Sequence, residues 1–162
     1  MTYLEQLFVY LMIGLVFVIV LYVGVSLIVT GLSRLCRSKM DRRIDRLVKR
    51  CPKLTPEQFQ KFRRNHKKNF SGIYVLYNRS KHMYYVGQAV KVLDRVNKHF
   101  TGKGNGDVYA DYKYGDKFVI RLIPLKTSGF PSLNDLERYA IARYRAYEKG
   151  YNKTRGNKGV ID

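Results

Sequence analysis

Glu137 is the residue whose placement most needs a chemical explanation. If residues 133–147 are helical, Leu133, Leu136, Ala140, Ile141 and Tyr144 form one apolar stripe, and Glu137 falls in its middle. A carboxylate there faces inward. Desolvating it unpaired costs several kcal/mol, so a cation or strong donor must stand opposite. The alternative is a flank glutamate that snorkels past the stripe edge or pairs with a structural arginine. Arg95 and His99 make a second constellation, spaced i,i+4 on one helix edge beside an apolar face, so that both can point into one cleft. The three side chains suit phosphodiester hydrolysis. Glu137 would hold a hard cation through oxygen, Arg95 would meet a non-bridging phosphate oxygen, and His99 would face the attacking water or the leaving oxygen. The plain alternatives are a surface ion pair of Arg95 with Asp94 or Asp111, and an ordinary helix-end histidine at 99.

These residues need a scaffold, and the patterning from Phe70 onward supplies one. Ile73–Tyr77 and His82–Gly87 are short β-branched and aromatic runs joined by Asn78-Arg79-Ser80-Lys81, the pattern of a hairpin. Val90–Phe100 reads as a helix with Val92, Leu93, Val96 and Phe100 on one face. Three glycines in Thr101–Asp107 require a loop, which would let backbone approach phosphate. Val108–Tyr114 fits either regular form; its tyrosines 109, 112 and 114 suit either stacking on bases or filling a core. Phe118–Pro124 reads as a strand, and Ser132-x-x-Asp135 is a capping box opening the helix that carries Glu137. The order is β-β-α-(α)-β-α.

Thirty-one Lys and Arg against twelve Asp and Glu leave a charge of +19, more than solubility requires, and the excess is spread over both halves. A polyanion is the expected counterpart, either nucleic acid or the anionic face of a bilayer. Leu7–Val29 is 23 almost unbroken apolar residues, about 34 Å as a helix at roughly 1.5 Å per residue, long enough to span. No basic n-region and no small-x-small cleavage site mark it as a signal peptide. Arg34, Arg37, Lys39, Arg42, Arg43, Arg46, Lys49 and Arg50 crowd its exit, which by the positive-inside rule places the carboxyl side in the cytoplasm. Residues 34–53 continue as a basic helix that either lies on the inner leaflet or is a solvated spacer, and Thr55-Pro56-Glu57 opens another reaching about Lys68. The expected divisions are an anchor at 1–33, a basic helical linker at 34–69 and a catalytic domain at 70–162. Cys36 and Cys51 with three scattered histidines lack the spacing of a structural zinc site.

Gly72-Ile73-Tyr74 and Tyr85-Val86-Gly87 resemble the signature hairpin of the GIY-YIG nucleases, with Val86 in place of the usual isoleucine. Arg95, His99, Glu137 and Asn152 follow in the order of that family's arginine, histidine, metal-binding glutamate and asparagine, so the resemblance extends from residue 72 to about 157. It implies an α+β fold with a three-stranded antiparallel sheet flanked by helices. It also implies DNA cleavage with one divalent metal, magnesium or manganese in its place, bound by Glu137. The resemblance assigns Tyr74 and Tyr85 to the site; a free phenol with a pKa near 10 is a poor base, so one of them must be activated. Asn152 would hydrogen-bond a tyrosine or a phosphate, or else merely terminate a helix. Lys91, Lys98, Lys103, Lys113 and Lys153 are the expected contacts to nucleic acid. The function expected is that of a membrane-anchored endonuclease acting on DNA at the cytoplasmic face, its sequence specificity either low or supplied by a protein partner for targeting. The rival is a catalytically silent, tethered nucleic-acid-binding module.

Overall fold

A central strand buried on both faces organises the chain. β1 (Gly72–Asn78) pairs antiparallel with β2 (Met83–Ala89) and with β3 (Phe118–Pro124), giving the order β2-β1-β3. The computed structural model describes residues 3–66 and 68–157. In its register Tyr74 stands between Gly87 and Leu122, and Leu76 between Tyr85 and Ile120. Alternation along the strands therefore sends Tyr74, Leu76, Tyr85 and Ile120 to one face and Ile73, Val75, Val86 and Ile123 to the other. The result is the α+β fold with a three-stranded antiparallel sheet that the sequence predicts.

Helices cover both faces. On the Tyr74 side the core joins Leu76 and Ile120 to Val92, Leu93, Val96 and Phe100 of α3 (Val92–Phe100), Val108 of α4 (Gly106–Lys113), and Phe59 of α2 (Pro56–Asn65). The segment that fits either regular form is thus a helix, capped by Asn105, whose side chain accepts from the Val108 N–H at 3.0 Å. Tyr112 fills the core against Phe100 and Phe118, whereas Tyr114 is exposed. After β3 come a single turn, α5 (Leu125–Ser128), and α6 (Leu133–Tyr144), which lies over β2 and β1 on the opposite face. Ser132 caps α6, accepting from the Asp135 N–H at 3.1 Å. Both sheet edges are closed: Leu54 exchanges two backbone bonds with Ile120, and the Tyr151 N–H donates to the Tyr84 carbonyl at 2.9 Å.

α1 (Tyr3–Arg50) contributes to two units, divided between Met40 and Asp41. In the first unit the helix is long and apolar enough to cross a membrane, and its large hydrophobic side chains from Leu7 to Val29 are exposed. In the second unit, residues from Asp41 pack with the sheet domain. Ile44 is fully buried and Val48 nearly so, one helical turn apart, while Arg43 lies over the Phe130 ring at 4.7 Å and Asp45 pairs with Arg143 at 2.8 Å. The basic stretch expected to be a linker therefore lends Ile44, Val48 and Phe59 to the interior. Its apolar spacing at Ile44 and Val48 is a core stripe.

Candidate active site

Tyr74 reaches its position because Gly87 has no side chain. The two residues face each other across the β1–β2 ladder, and a Cβ at 87 would overlap the Tyr74 hydroxyl. The phenol thus lies across the backbone of the edge strand. Gly72 has a different job: a Cβ there would strike the carbonyl of Ile123, so it permits close pairing with β3.

Behind the phenol sits His99, with no exposed surface at all. The Asn105 backbone N–H, which can only donate, points at its Nδ1 at 2.9 Å, and the Tyr74 Oη lies 2.9 Å from its Nε2. Burial first, and the charge of Arg95 second, push the imidazole pKa down to about 4, so the ring is neutral at neutral pH. A neutral ring that accepts at Nδ1 carries its proton on Nε2, and that proton is donated to Tyr74. Gly104 makes room for this arrangement, since a Cβ there would press on the His99 ring and backbone. Sequence alone places His99 toward water or the leaving oxygen; enclosed as it is, it holds Tyr74 instead.

Arg95, one turn earlier on the exposed side of α3, brings its guanidinium close enough to both Tyr74 and Tyr85 to interact with the two phenols. The two acids considered as surface partners for it are otherwise engaged: Asp94 with Arg63 at 3.3 Å, and Asp111 with Lys81 at 2.6 Å. Tyr85 packs its ring edge-on to His99, with centroids 4.9 Å apart, and 6.1 Å from Tyr74. Burial, then the neighbouring Tyr85, raise the Tyr74 pKa well above that of a free phenol, and Arg95 only partly offsets this.

Glu137 reaches the same stretch of strand from α6. Only 8% exposed, its Oε2 accepts from Gln88 Nε2 at 2.9 Å, and the backbone N–H groups of Gln88 and Asn157 lie near enough to favour its charged form. Gln88 directly follows Gly87, so phenol and carboxylate approach consecutive residues of β2. Desolvation raises the Glu137 pKa, an effect that Gln88 and the nearby backbone N–H groups reduce without cancelling. Among the described residues it has no ion pair, although the chain carries 31 Lys and Arg. A buried carboxylate held by neutral donors alone fits a hard cation. No group of three His, Cys, Asp or Glu side chains among the described residues would cage an ion, so a cation on Glu137 would need water and phosphate as its other ligands.

Asn152 differs from expectation. Its Oδ1 accepts from the Val86 N–H at 2.9 Å and its Nδ2 donates to the Val86 carbonyl at 2.7 Å. The amide thus acts as a short strand partner that clamps the edge of β2 beside the site, touching neither phenol nor an open surface.

Lys91, Lys98 and Lys103 join Arg95 around a groove of about 830 Å³. Lys113 ends α4 away from that groove, and Lys153 pairs with Asp107 at 2.7 Å. Arg63, on the basic helix whose sequence suits either lying along a phosphate backbone or staying solvated, lines the same groove, and its Nε is buried without a hydrogen-bond partner. The guanidinium as a whole is partly exposed beside Asp94, so its outer donors can meet a phosphate oxygen. Arg63→Leu is expected to weaken DNA binding and to lower the slope of log affinity against log salt by about 1, measured by fluorescence anisotropy from low to moderate salt. Asn105, Gly104 and Gln88 were also missed. The glycine-rich run and a polar residue inside a strand were the signals available for them.

Burying a neutral His99 also has a thermodynamic signature. Its folded pKa of about 4 lies below the ordinary 6.5, so between those values the unfolded chain binds the extra proton. Stability contributed by His99 is therefore present above the unfolded value and lost as pH falls toward the folded one, by on the order of 3 kcal/mol in full. His99→Gln should flatten the dependence of Tm on pH in that window, as followed by thermal unfolding.

A family model described as the GIY-YIG catalytic domain matches residues 70–152. Neither curated proteins nor solved structures give a match. Members of the family are typically divalent-metal dependent. With just over half of its length matched and the signature hairpin folded around Tyr74 and Gly87, this chain belongs to the GIY-YIG nuclease family.

Proposed function

We propose that the protein is a metal-dependent endonuclease that hydrolyses phosphodiester bonds in DNA while anchored in a membrane, its catalytic unit on the cytoplasmic side. The observation that carries the reading is the placement of Tyr74 Oη against the His99 Nε2–H and near the Arg95 guanidinium, across Gly87 of β2, with a buried Glu137 that lacks a cationic partner held at the next residue of that strand, Gln88. Tyr74 is then the general base and Tyr85 its neighbour. Two donors face the Tyr74 oxygen, and both favour its ionised form. Arg95 also stabilises charge on the phosphate as the water attacks phosphorus. His99 keeps its own proton throughout and fixes the phenol, and Asn152 fixes the strand beneath it.

A divalent cation, magnesium or manganese, held through Glu137 would supply Lewis acidity at the phosphate and draw the phenol toward ionisation. Lys91, Lys98, Lys103 and Arg63 would track the phosphates of the bound strand. Lys113 and Lys153 remain candidate outlying contacts. No separate reader domain is legible, so sequence selectivity would come from a partner or from location.

The apolar helix and the basic residues at its exit support an anchor with its amino terminus outside. Residues 1–33 would span, 34–69 would connect, and the nuclease domain proper would run from 70. The test is nicking of supercoiled plasmid by the full chain in detergent. Wild type should nick in Mg²⁺ and not in EDTA, and Arg95→Ala should not nick in either. DNA binding without nicking by the wild type would instead select the silent binding module. Removing residues 1–40 should leave nicking intact while changing which DNA is attacked in cells. A fragment that retains Asp41 keeps Ile44 and Val48 in the core, whereas one starting at residue 54 loses both.

A further inference from the structure

The face of the sheet opposite Tyr74 holds a second cavity, of about 400 Å³, within the size range of small-ligand pockets. Its cationic lining is Lys49, Lys53, Arg79 and Arg121. None of the four has an ion pair among the described residues. The one acid in the lining, Asp45, is taken by a two-pronged pair with Arg143, Nε to Oδ1 at 3.1 Å and Nη2 to Oδ2 at 2.8 Å. Arg121 is held in place by donating from Nη1 to the Val48 carbonyl, which leaves its remaining donors for a ligand.

The other part of the wall is aromatic. Tyr77, Tyr84 and Tyr144 stack in series, with ring centroids 4.5 Å and 4.8 Å apart and interplanar angles of 26° and 23°. Four unpaired cations call for a ligand of several negative charges, and a tyrosine wall calls for one that also carries a flat π-system. A cavity of this volume encloses a small molecule and does not track a polymer. An inositol or glycerol headgroup would meet the cations but has no face to set against the rings.

We propose that this cavity is a nucleoside di- or triphosphate site, separate from the catalytic groove, with the phosphates on Lys49, Lys53, Arg79 and Arg121 and the base against the tyrosines. It is independent of the nuclease assignment and goes beyond it. Strand β1 and helix α6 each serve both sites: Tyr74 faces one and Val75 the other, and Glu137 precedes Tyr144 by two turns.

The test is isothermal titration of ATP into the full chain, in nanodiscs of zwitterionic lipid with EDTA present. ATP is expected to bind about tenfold or more tightly than inorganic tripolyphosphate, because only ATP has a base to place on the tyrosines. Lys53→Ser combined with Arg79→Ser, both exposed and away from the core, should lower ATP affinity about tenfold or more. Lys98→Ser with Lys103→Ser, in the catalytic groove, should change it little. The proposal is overturned by any of four results: no ATP binding, equal binding of tripolyphosphate, loss of ATP binding in the groove variant but not in the cavity variant, or loss of ATP binding when the discs contain phosphatidylserine. The last result would assign the cations to lipid headgroups.

Discussion

Tyr74→Phe is expected to slow nicking by about three orders of magnitude, equivalent to roughly 4 kcal/mol of barrier, within the range of general base catalysis. The substitution keeps the ring that packs over Gly87 and removes only the oxygen that faces His99 and Arg95. Folding and DNA affinity should therefore be retained, which separates this variant from Gly87→Ala, where the added methyl would displace the phenol. A second expectation follows from the direction of the Tyr74 shift. Burial holds the phenol protonated at neutral pH, so the ionised fraction, and with it the rate, should climb as pH rises above neutrality. In Tyr74→Phe that climb should disappear, and Tyr85→Phe should keep it. A rate profile in which Tyr85→Phe alone loses the alkaline rise would reverse the assignment of the base.

Glu137→Gln should be as damaging, for a different reason. Glutamine is nearly isosteric and still accepts from Gln88, so α6 and the edge of β2 should remain in place. It lacks the charge to hold a divalent cation, and the loss of Lewis acidity is expected to cost several kcal/mol, at least about a thousandfold in rate. Desolvation raises the wild-type carboxyl pKa, so a neutral amide relieves a buried charge, which offsets the acceptor oxygen it loses, and Tm should change little. Nicking abolished with Tm maintained is the combination that marks the residue as a cation ligand. A structural glutamate would lose stability and activity together. Gel shift of a short duplex in EDTA should be the same for both proteins.

The parts of this molecule legible in the sequence were those that depend on local pattern. Alternation and the turn signal at Asn78–Lys81 were enough for the hairpin, although β1 runs one residue further at each end, taking in Asn78, and β2 begins one residue later and ends two residues later than the expected run. Apolar periodicity, with a carboxylate in its midst, was enough to bury Glu137. Val108–Tyr114 stayed ambiguous because its tyrosines favour strands while its cap, Asn105, lies inside a glycine-rich run that reads only as a breaker.

What escaped was non-local. The spacing of His99 from Arg95 says that both share a helix edge, but whether the imidazole meets solvent or a phenol depends on the loop at Gly104–Asn105 folding back over it. The contact of Asn152 with Val86 spans 66 residues and uses a side chain as a strand, which no periodicity reveals. Ile44 and Val48 were visible as apolar positions, yet a stripe at helical spacing looks the same whether it faces lipid or a sheet.

The central claim is that the Tyr74 phenol and the Glu137 carboxylate act on one phosphate, and anomalous diffraction tests it most directly. Crystals of full-length Tyr74→Phe with a short DNA duplex and Mn²⁺ should show a manganese peak about 2 Å from a Glu137 carboxylate oxygen, bonded on its other side to a phosphate that lies over the edge of the substituted ring. Manganese bound elsewhere, or a phosphate backbone that bypasses Arg95 and Glu137, would contradict the account.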